Sequence, residues 1–445
     1  MSMRVPTILL VAATALCVSN LAHAQAPVLS AQTKSRIAAL EPKVVAWRRD
    51  IHQHPELGNR ETRTAKLVAD HLRSLGLEVK TGVAHTGVVG LLRGGRPGPV
   101  VLLRADMDAL PVTERNQLPF ASKVTTTYNG QEVGVMHACG HDTHVAILMG
   151  VAEVLSAMRS ELQGTVKFVF QPAEEGAPEG EEGGAELMVE QGVLADPPVD
   201  AAFALHIDAK QEVNNLYYSR GGTYASADDY RIVVKGKQTH GGYPWNGVDP
   251  IVTSAYIITA LQTIVSRQMR LTENPAVVTV GKIQGGVRSN IIPEQVEMIG
   301  TIRALHPDDR KLLHEKIRRT AINVAESMGA TAEVQIPLTT AYPVTYNDDA
   351  LTTAMIPVLE QVAGTGKVHQ LKPETGAEDF AFIAEKVPSF YIALGGRPSN
   401  VSFEDAADHH TPDFYIDDSG LDLGVSAMTA MTLAYMRTHA ASGRR

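Results

Sequence analysis

Residues 136–144 read Met136-His137-Ala138-Cys139-Gly140-His141-Asp142-Thr143-His144. Three histidines, a cysteine and an aspartate fall within nine positions. Gly140, between Cys139 and His141, lets the backbone turn tightly enough for both side chains to converge. Thiolate and imidazole are ligands that borderline-soft divalent cations prefer. A helical pattern over 144–158 follows, and its N-terminus would favour the Cys139 thiolate. The competing reading is a buried structural cysteine beside surface histidines.

Working outward, residues 100–105 (VVLLRA) form an almost unbroken apolar run between Gly/Pro turns, which predicts a strand buried on both faces. Asp106 and Asp108 follow its end, and side chains two apart in an extended chain point the same way. Residues 165–171 (TVKFVFQ) predict a second strand, followed by Glu174-Glu175. Adjacent buried carboxylates do not both stay ionised without a cation. A metal resolves this if one glutamate binds it and the other acts on water; otherwise the pair belongs to a solvated acidic loop, as 178–182 does. Residues 199–206 (VDAAFALH) predict a third strand, ending on His206. In open α/β sheets the binding crevice lies beyond the strand carboxyl ends, so three such ends carrying reactive residues predict one site.

The motifs RADMDALP (104–111), HACGHDTH (137–144) and QPAEEG (171–176), in this order, resemble the dinuclear-metal amidohydrolases of the M20 peptidase family. Hippurate, N-acyl-amino-acid and auxin-conjugate hydrolases form the branch that is most similar. The resemblance covers nearly the whole chain after its first residues. It implies an α/β fold: a mostly parallel-sheet, exopeptidase-like catalytic domain with an inserted ferredoxin-like α+β satellite domain. It further implies that Cys139, His141, Glu175, His206 and His410 hold two divalent cations, zinc or manganese, with Glu174 as acid–base. Asp106, Asp108, Glu378 and Asp379 would then orient the ligands. His410, before Thr411-Pro412, fits the last ligand position, but His409 stands where relatives carry an apolar residue, so the two can exchange roles. Asp106 stands where distant relatives have a histidine ligand.

Beyond Gly221-Gly222 the pattern becomes strand (229–234), helix (250–267), strand (276–284), strand (295–304), helix (307–328) and strand (331–336). This βαββαβ order predicts the ferredoxin-like insert. Ile251, Ala255, Ile258 and Leu261 are expected to form the buried face of its first helix. By resemblance, His240 steadies the oxyanion, often from a partner subunit, while Asn290 and Arg303 hold substrate carboxylate or carbonyl. Gln238 and Trp245 depart from the glycine and histidine usual in relatives. The expected division is a signal peptide (1–24), catalytic domain (25–221), satellite domain (222–340) for closure or dimerisation, and catalytic domain again (341–445).

Length of 445 residues favours two domains. Arg4, an apolar stretch over 7–18 and Ala22-His23-Ala24 predict a cleaved secretory signal and an exported protein, periplasmic or secreted. Cleavage after Ala24 would remove Cys17, leaving Cys139 as the mature protein's single thiol, which a metal would protect from oxidation. The formal charge of −9 and the absence of a Lys/Arg-rich run argue against nucleic acid and anionic membranes as partners. No G-x-S-x-G, H-E-x-x-H, G-x-x-x-x-G-K-[ST] or G-x-G-x-x-G pattern occurs. The expected activity is metal-dependent hydrolysis of a small amide bearing a free carboxylate, such as an N-acyl amino acid. An exopeptidase of the same fold is the alternative, and a non-catalytic metal-binding exported protein is the alternative from another class. His52 and His54 read as a polar helix end at the cleft mouth.

Overall fold

The computed structural model describes residues 27–339 and 341–440. The expected signal peptide, Cys17 and the cleavage point lie outside these residues.

Two sheets carry the architecture. The larger has eight strands, and its centre is a parallel set. Gln163–Gln171, Arg96–Asp106, Ala201–Glu212 and Ser389–Arg397 lie side by side in that order. The flanks depart from the parallel expectation: Gly87–Arg93 and Glu78–Val83 extend one side antiparallel, and Leu216–Tyr218 pairs antiparallel with Ser389–Arg397. Glu78–Val83 and Gly87–Arg93 are joined by a link of only three residues, whereas a parallel neighbour would need a crossover of a dozen or more. Leu103, Phe168 and Phe203 pack into one apolar core, and Leu102, Val169, Ala202 and Ala204 pack into another on the opposite face, so the sheet is covered on both sides.

Helix His141–Ser156 is buried along nearly its whole length between the sheet and the helices Ala31–Gln53 and Leu421–Thr438. That accounts for its apolar composition all round. Gly140 caps it at φ +91°, and a Cβ at this position would stand 2.2 Å from Ile207 Cγ2. Glycine is therefore required both by conformation and by the closeness of the neighbouring strand.

The second sheet is built from Ala227–Lys235, Ala276–Gly285, Gln295–Ala304 and Thr331–Gln335, joined with helices Pro250–Gln268 and Pro307–Ser327 as βαββαβ. Numbered by their order in this unit, the strands lie 2-3-1-4, all antiparallel, and Ala341–Tyr342 adds a short pairing. The unit has its own apolar core around Tyr230, Ile257, Leu261, Ile302 and Leu313. Its first helix differs from expectation. It buries Ile257, Leu261 and Ile264, while Ile251, Val252 and Tyr256 are exposed. The helix is apolar on most sides, so periodicity alone did not orient it. Gly221–Tyr224 and Thr345–Asn347 pair with each other where the chain leaves and re-enters the large sheet.

Candidate metal centre and active site

The ends of Arg96–Asp106 and Gln163–Gln171 lie side by side, and Ala201–Glu212 runs beside the first of them. Register places Arg104 opposite Ala204 and Asp106 opposite Gln171. His206 is not at a strand end, because Ala201–Glu212 continues past it, held there by Ser389–Arg397 on one side. Its ring still faces the crevice, with Nε2 3.4 Å from Cys139 Sγ.

Each imidazole is oriented through one nitrogen. His141 Nδ1 donates to the Asp108 carbonyl at 2.9 Å, and its buried Nε2 has no hydrogen-bond partner. Oxygens of Asp106, Glu174 and Glu175 surround that Nε2 at 3.7, 3.8 and 3.9 Å. His206 Nδ1 donates to the Ile207 carbonyl at 2.5 Å, leaving Nε2 toward the cysteine. His144 differs: Nδ1 donates to Asp106 at 2.5 Å, and Nε2 accepts from the Ile207 amide at 2.8 Å. Both of its nitrogens are committed, so His144 holds the strand beside His206 and has no free lone pair for a cation.

The same reasoning separates His409 from His410. His409 Nε2 accepts the Ala209 N–H at 3.1 Å, so the ring proton is on Nδ1, which points at Cys139 Sγ at 3.6 Å. His410 stands at φ +62°, pinned by its amide to the Ala138 carbonyl, and its Nε2 is 3.0 Å from Glu175 Oε1. Thus His410 turns its Nε2 onto the Glu175 carboxylate, and His409 presents an N–H to sulfur.

A cation fits this donor set. Burial opposes charge on His141, yet Asp106, Asp108 and Glu175 push its pKa up to about 10, so the site draws positive charge to Nε2. Burial, reinforced by Glu175 and Glu174, holds the Cys139 thiol far above its usual range. Burial and the two carboxylates thus oppose the helix N-terminus at this sulfur, and a bound cation would offset them. Cys139, His141 and His206 form one cluster with mutually close ligand atoms; Cys139, Glu175 and His410 form another, and His141, Glu174 and Glu175 a third. Burial, together with Glu378, Glu175 and Asp379, raises the Glu174 carboxyl well above the usual range.

Under these groups lies a residue that sequence reasoning passed over. The Arg104 guanidinium is fully buried and donates to Gln171 at 2.8 Å, Asp106 at 2.6 Å, Glu378 at 2.7 Å and Asp379 at 2.9 Å. It neutralises the acidic floor and fixes Asp106 against His144. Its place within the apolar run 100–105 was the available signal, since a buried cation must be paired. Asp108 Oδ2 meanwhile accepts the Glu175 amide at 2.9 Å. His52 is also deeper than expected: it is buried, 2.8 Å from Asp142 and 3.3 Å from Glu114, whereas His54 is exposed.

An open cleft of about 690 Å³ exposes Cys139, Glu174, Glu175, His206 and His410. His240, Asn290 and Arg303 do not line it. The structure brings His240 and Asn290 together instead, through Thr239–His240 pairing with Ile291–Ile292 and the Gly241 amide donating to the Asn290 carbonyl at 2.8 Å. Arg303 is half-buried on the strand beside Val277. His240 is exposed and its Nδ1 accepts the Gly242 N–H at 2.9 Å, so Nε2 carries the proton.

Comparison with known proteins agrees with this geometry. Residues 102–434 match the profile of peptidase family M20/M25/M40. A thermostable carboxypeptidase of Saccharolobus solfataricus is 38% identical over 90% of this chain and 98% of its own. An N-acetylcysteine deacetylase of Bacillus subtilis is 36% identical over 90% of this chain and 98% of its own. A crystal structure of a dinuclear metal-binding M20 peptidase from Bacillus subtilis superposes with TM-score 0.74 at 33% identity, covering 90% of this chain and 99% of the other.

Proposed function

The chain belongs to peptidase family M20/M25/M40 and is a metal-dependent amide hydrolase with two divalent cations, and from that premise we propose that it cleaves N-acyl amino acids. The observation that carries the reading is Glu174, buried beside the ligand cluster with a raised pKa and no ligand-holding contact of its own to an imidazole closer than 3.8 Å.

In this reading Cys139, His141, Glu175, His206 and His410 hold the cations. When bound, these ions polarise the scissile carbonyl and acidify the attacking water. Glu174 takes the water's proton and returns it to the departing amine. His409 steadies the Cys139 sulfur through Nδ1–H. Asp106, Asp108, Glu378 and Asp379 keep ligands and base in place. His240 supplies its Nε2–H to the developing oxyanion, while Asn290 and Arg303 take the amino-acid carboxylate. Because these three stand outside the cleft lining, closure about the paired segments Gly221–Tyr224 and Thr345–Asn347, or a second copy, must deliver them. Strand Ala276–Gly285 is a sheet edge among the described residues, and Ile251, Tyr256 and Val287 are exposed nearby. A second copy covering them accounts for that apolar surface. Thiolate and imidazole ligands favour zinc, with manganese as the alternative. Export follows from the proposed signal in residues 1–24.

The carboxypeptidase relatives favour a second reading, exopeptidase action on a peptide C-terminus. Turnover of N-acyl amino acids against dipeptides and longer peptides decides between them. Glu174→Gln, with metal retained, should lose about 10²-fold or more in kcat. Wild-type turnover by that variant would remove Glu174 as the base. Loss of metal together with turnover would instead mark Glu174 as a ligand.

A further inference from the structure

Tyr342 lines the metal cleft together with Glu174, Glu175 and Glu378, yet its backbone belongs to the other sheet. Ala341–Tyr342 pairs with Asp228 and Ala227, at the start of the first strand of the βαββαβ unit. Arg310, from the second helix of that unit, is paired with Asp228 and donates to the Ala341 carbonyl at 2.9 Å. By Thr345 the chain is back beside the large sheet. Thr345 pairs with Tyr224, and its hydroxyl donates to the Glu378 carbonyl at 3.0 Å. Pro343 and Val344 are all that separates these two anchors. Among the described residues, no other member of the cleft lining lies on a strand paired with the βαββαβ sheet.

The Tyr342 ring packs edge-on against Phe382, with centroids 5.6 Å apart. Its hydroxyl makes no hydrogen bond among the described residues. Burial, together with Asp379, Glu174, Asp108 and Glu378, holds its pKa above the usual phenol range, so it faces these carboxylates as a neutral donor. Three of the four already have donors. Asp379 accepts from Gln171 and the Ala185 amide, and Glu378 from Arg104 and Tyr391. Asp108 accepts the Glu175 amide on Oδ2, and its Oδ1 lies 3.3 Å from His141 Nδ1. Glu174 is buried, and its carboxyl alone accepts no hydrogen bond among the described residues. A base that takes a proton from water and passes it to an amine works best when its carboxylate is held in the productive orientation.

We propose that Tyr342 is a positioning residue for Glu174: its hydroxyl donates to one oxygen of that carboxylate and leaves the other to carry the proton. The proposal rests on Glu174 as the base, and not on which amide is cleaved. Residue 342 is tied to the βαββαβ unit, so movement of that unit over the cleft tightens or slackens the contact and links the base to closure.

The test uses the full-length, metal-loaded protein and whichever N-acyl amino acid or dipeptide it turns over fastest. Tyr342→Phe keeps the ring against Phe382 and removes the hydroxyl. Loss of a hydrogen bond to a charged group costs on the order of ten- to a hundredfold, so kcat should fall at least about tenfold, with KM within about twofold and metal content unchanged. In the Glu174→Gln background the same substitution should cost less than about threefold more, because the two residues act as one unit. Equal losses in both backgrounds, or a wild-type kcat in Tyr342→Phe, overturn the proposal. A second measurement needs no turnover: 3-fluorotyrosine at position 342 should give a ¹⁹F resonance that moves when Glu174→Gln is introduced. An unmoved resonance overturns the contact. Wild-type turnover by Glu174→Gln would instead sink the base assignment, and a resonance still moved by that change would show the contact without its role.

Discussion

Arg104→Met removes the cation on which the acidic floor of the site depends. Arg104 has no exposed side-chain surface, and Asp106, Glu378 and Asp379 are each within 2.9 Å of its guanidinium. Methionine fills much of the arginine stem but leaves these carboxylates buried without their counter-charge. Removing one partner of a buried ion pair costs about 3–5 kcal/mol. The remaining hydrogen bonds, from Tyr391 to Glu378 and from Gln171 and Ala185 to Asp379, limit the loss to that range. For a chain of 445 residues the cost corresponds to a fall in Tm of roughly 3–6 °C. Calorimetry of wild type and variant, with elemental analysis of each, measures both consequences, since Asp106 also orients His144 and faces His141. Adding Asp379→Asn to Arg104→Met should cost at least about 1 kcal/mol less than Asp379→Asn alone, because the neutral amide relieves repulsion once the cation is gone. A variant that melts within about 1 °C of wild type, with full metal content, would refute this account of the floor.

Other residues give independent checks. Cys139→Ala or His206→Ala should lower bound metal and activity together; elemental analysis showing full occupancy in both would dismiss them as ligands. His240→Ala should lower kcat about 10²-fold with metal unchanged. Mixed subunits of His240→Ala and Glu174→Gln should recover part of the activity if the histidine crosses between copies, whereas verified mixed dimers without recovery would place its delivery within one chain. In the βαββαβ unit, burial would raise the Asp228 carboxyl, but His314 and Arg310 outweigh it and hold its pKa below the usual value. A depressed carboxyl stabilises the fold above its unfolded pKa of about 3.9 and loses that contribution as pH falls through the folded value. Urea unfolding of Asp228→Asn should therefore show a flatter acid limb than wild type below about pH 4; parallel curves would contradict the linkage.

The central strands were legible because burial on both faces leaves an apolar signature that needs no partner to be read. Residues 100–105 and 165–171 are such runs, and the structure extends them only to Arg96–Asp106 and Gln163–Gln171. The βαββαβ unit was legible for a related reason, as helix-length and strand-length patterns alternate within it. Strands Glu78–Val83 and Gly87–Arg93 escaped notice. The first is mostly exposed, and Gly90 interrupts the apolar run of the second. The hairpin Thr125–Tyr128 with Gln131–Gly134 escaped too, although Asn129-Gly130 is a strong local turn signal, because its three threonines, Gln131 and Glu132 lack the alternation of a half-buried strand.

For the site, sequence supplied donors but not their orientation. Metal-binding chemistry is written in residue type, so Cys139, His141, Glu175 and His206 could be singled out by kind and by position after strands. Which nitrogen of an imidazole is free depends on what the other one meets, and those partners are backbone groups distant in sequence. His141 is tied to the Asp108 carbonyl, His144 to the Ile207 amide, and His409 to the Ala209 amide. Contacts of this kind divide four otherwise similar histidines: His141 keeps Nε2 without a hydrogen-bond partner, His410 turns its Nε2 to Glu175, His409 offers an N–H to sulfur, and His144 has both nitrogens committed. The departure at 409 thereby acquires a physical reason. An apolar residue there could only pack beside Cys139, whereas this histidine points Nδ1–H at the sulfur, and in the proposed centre that would lower the charge the sulfur presents to a cation.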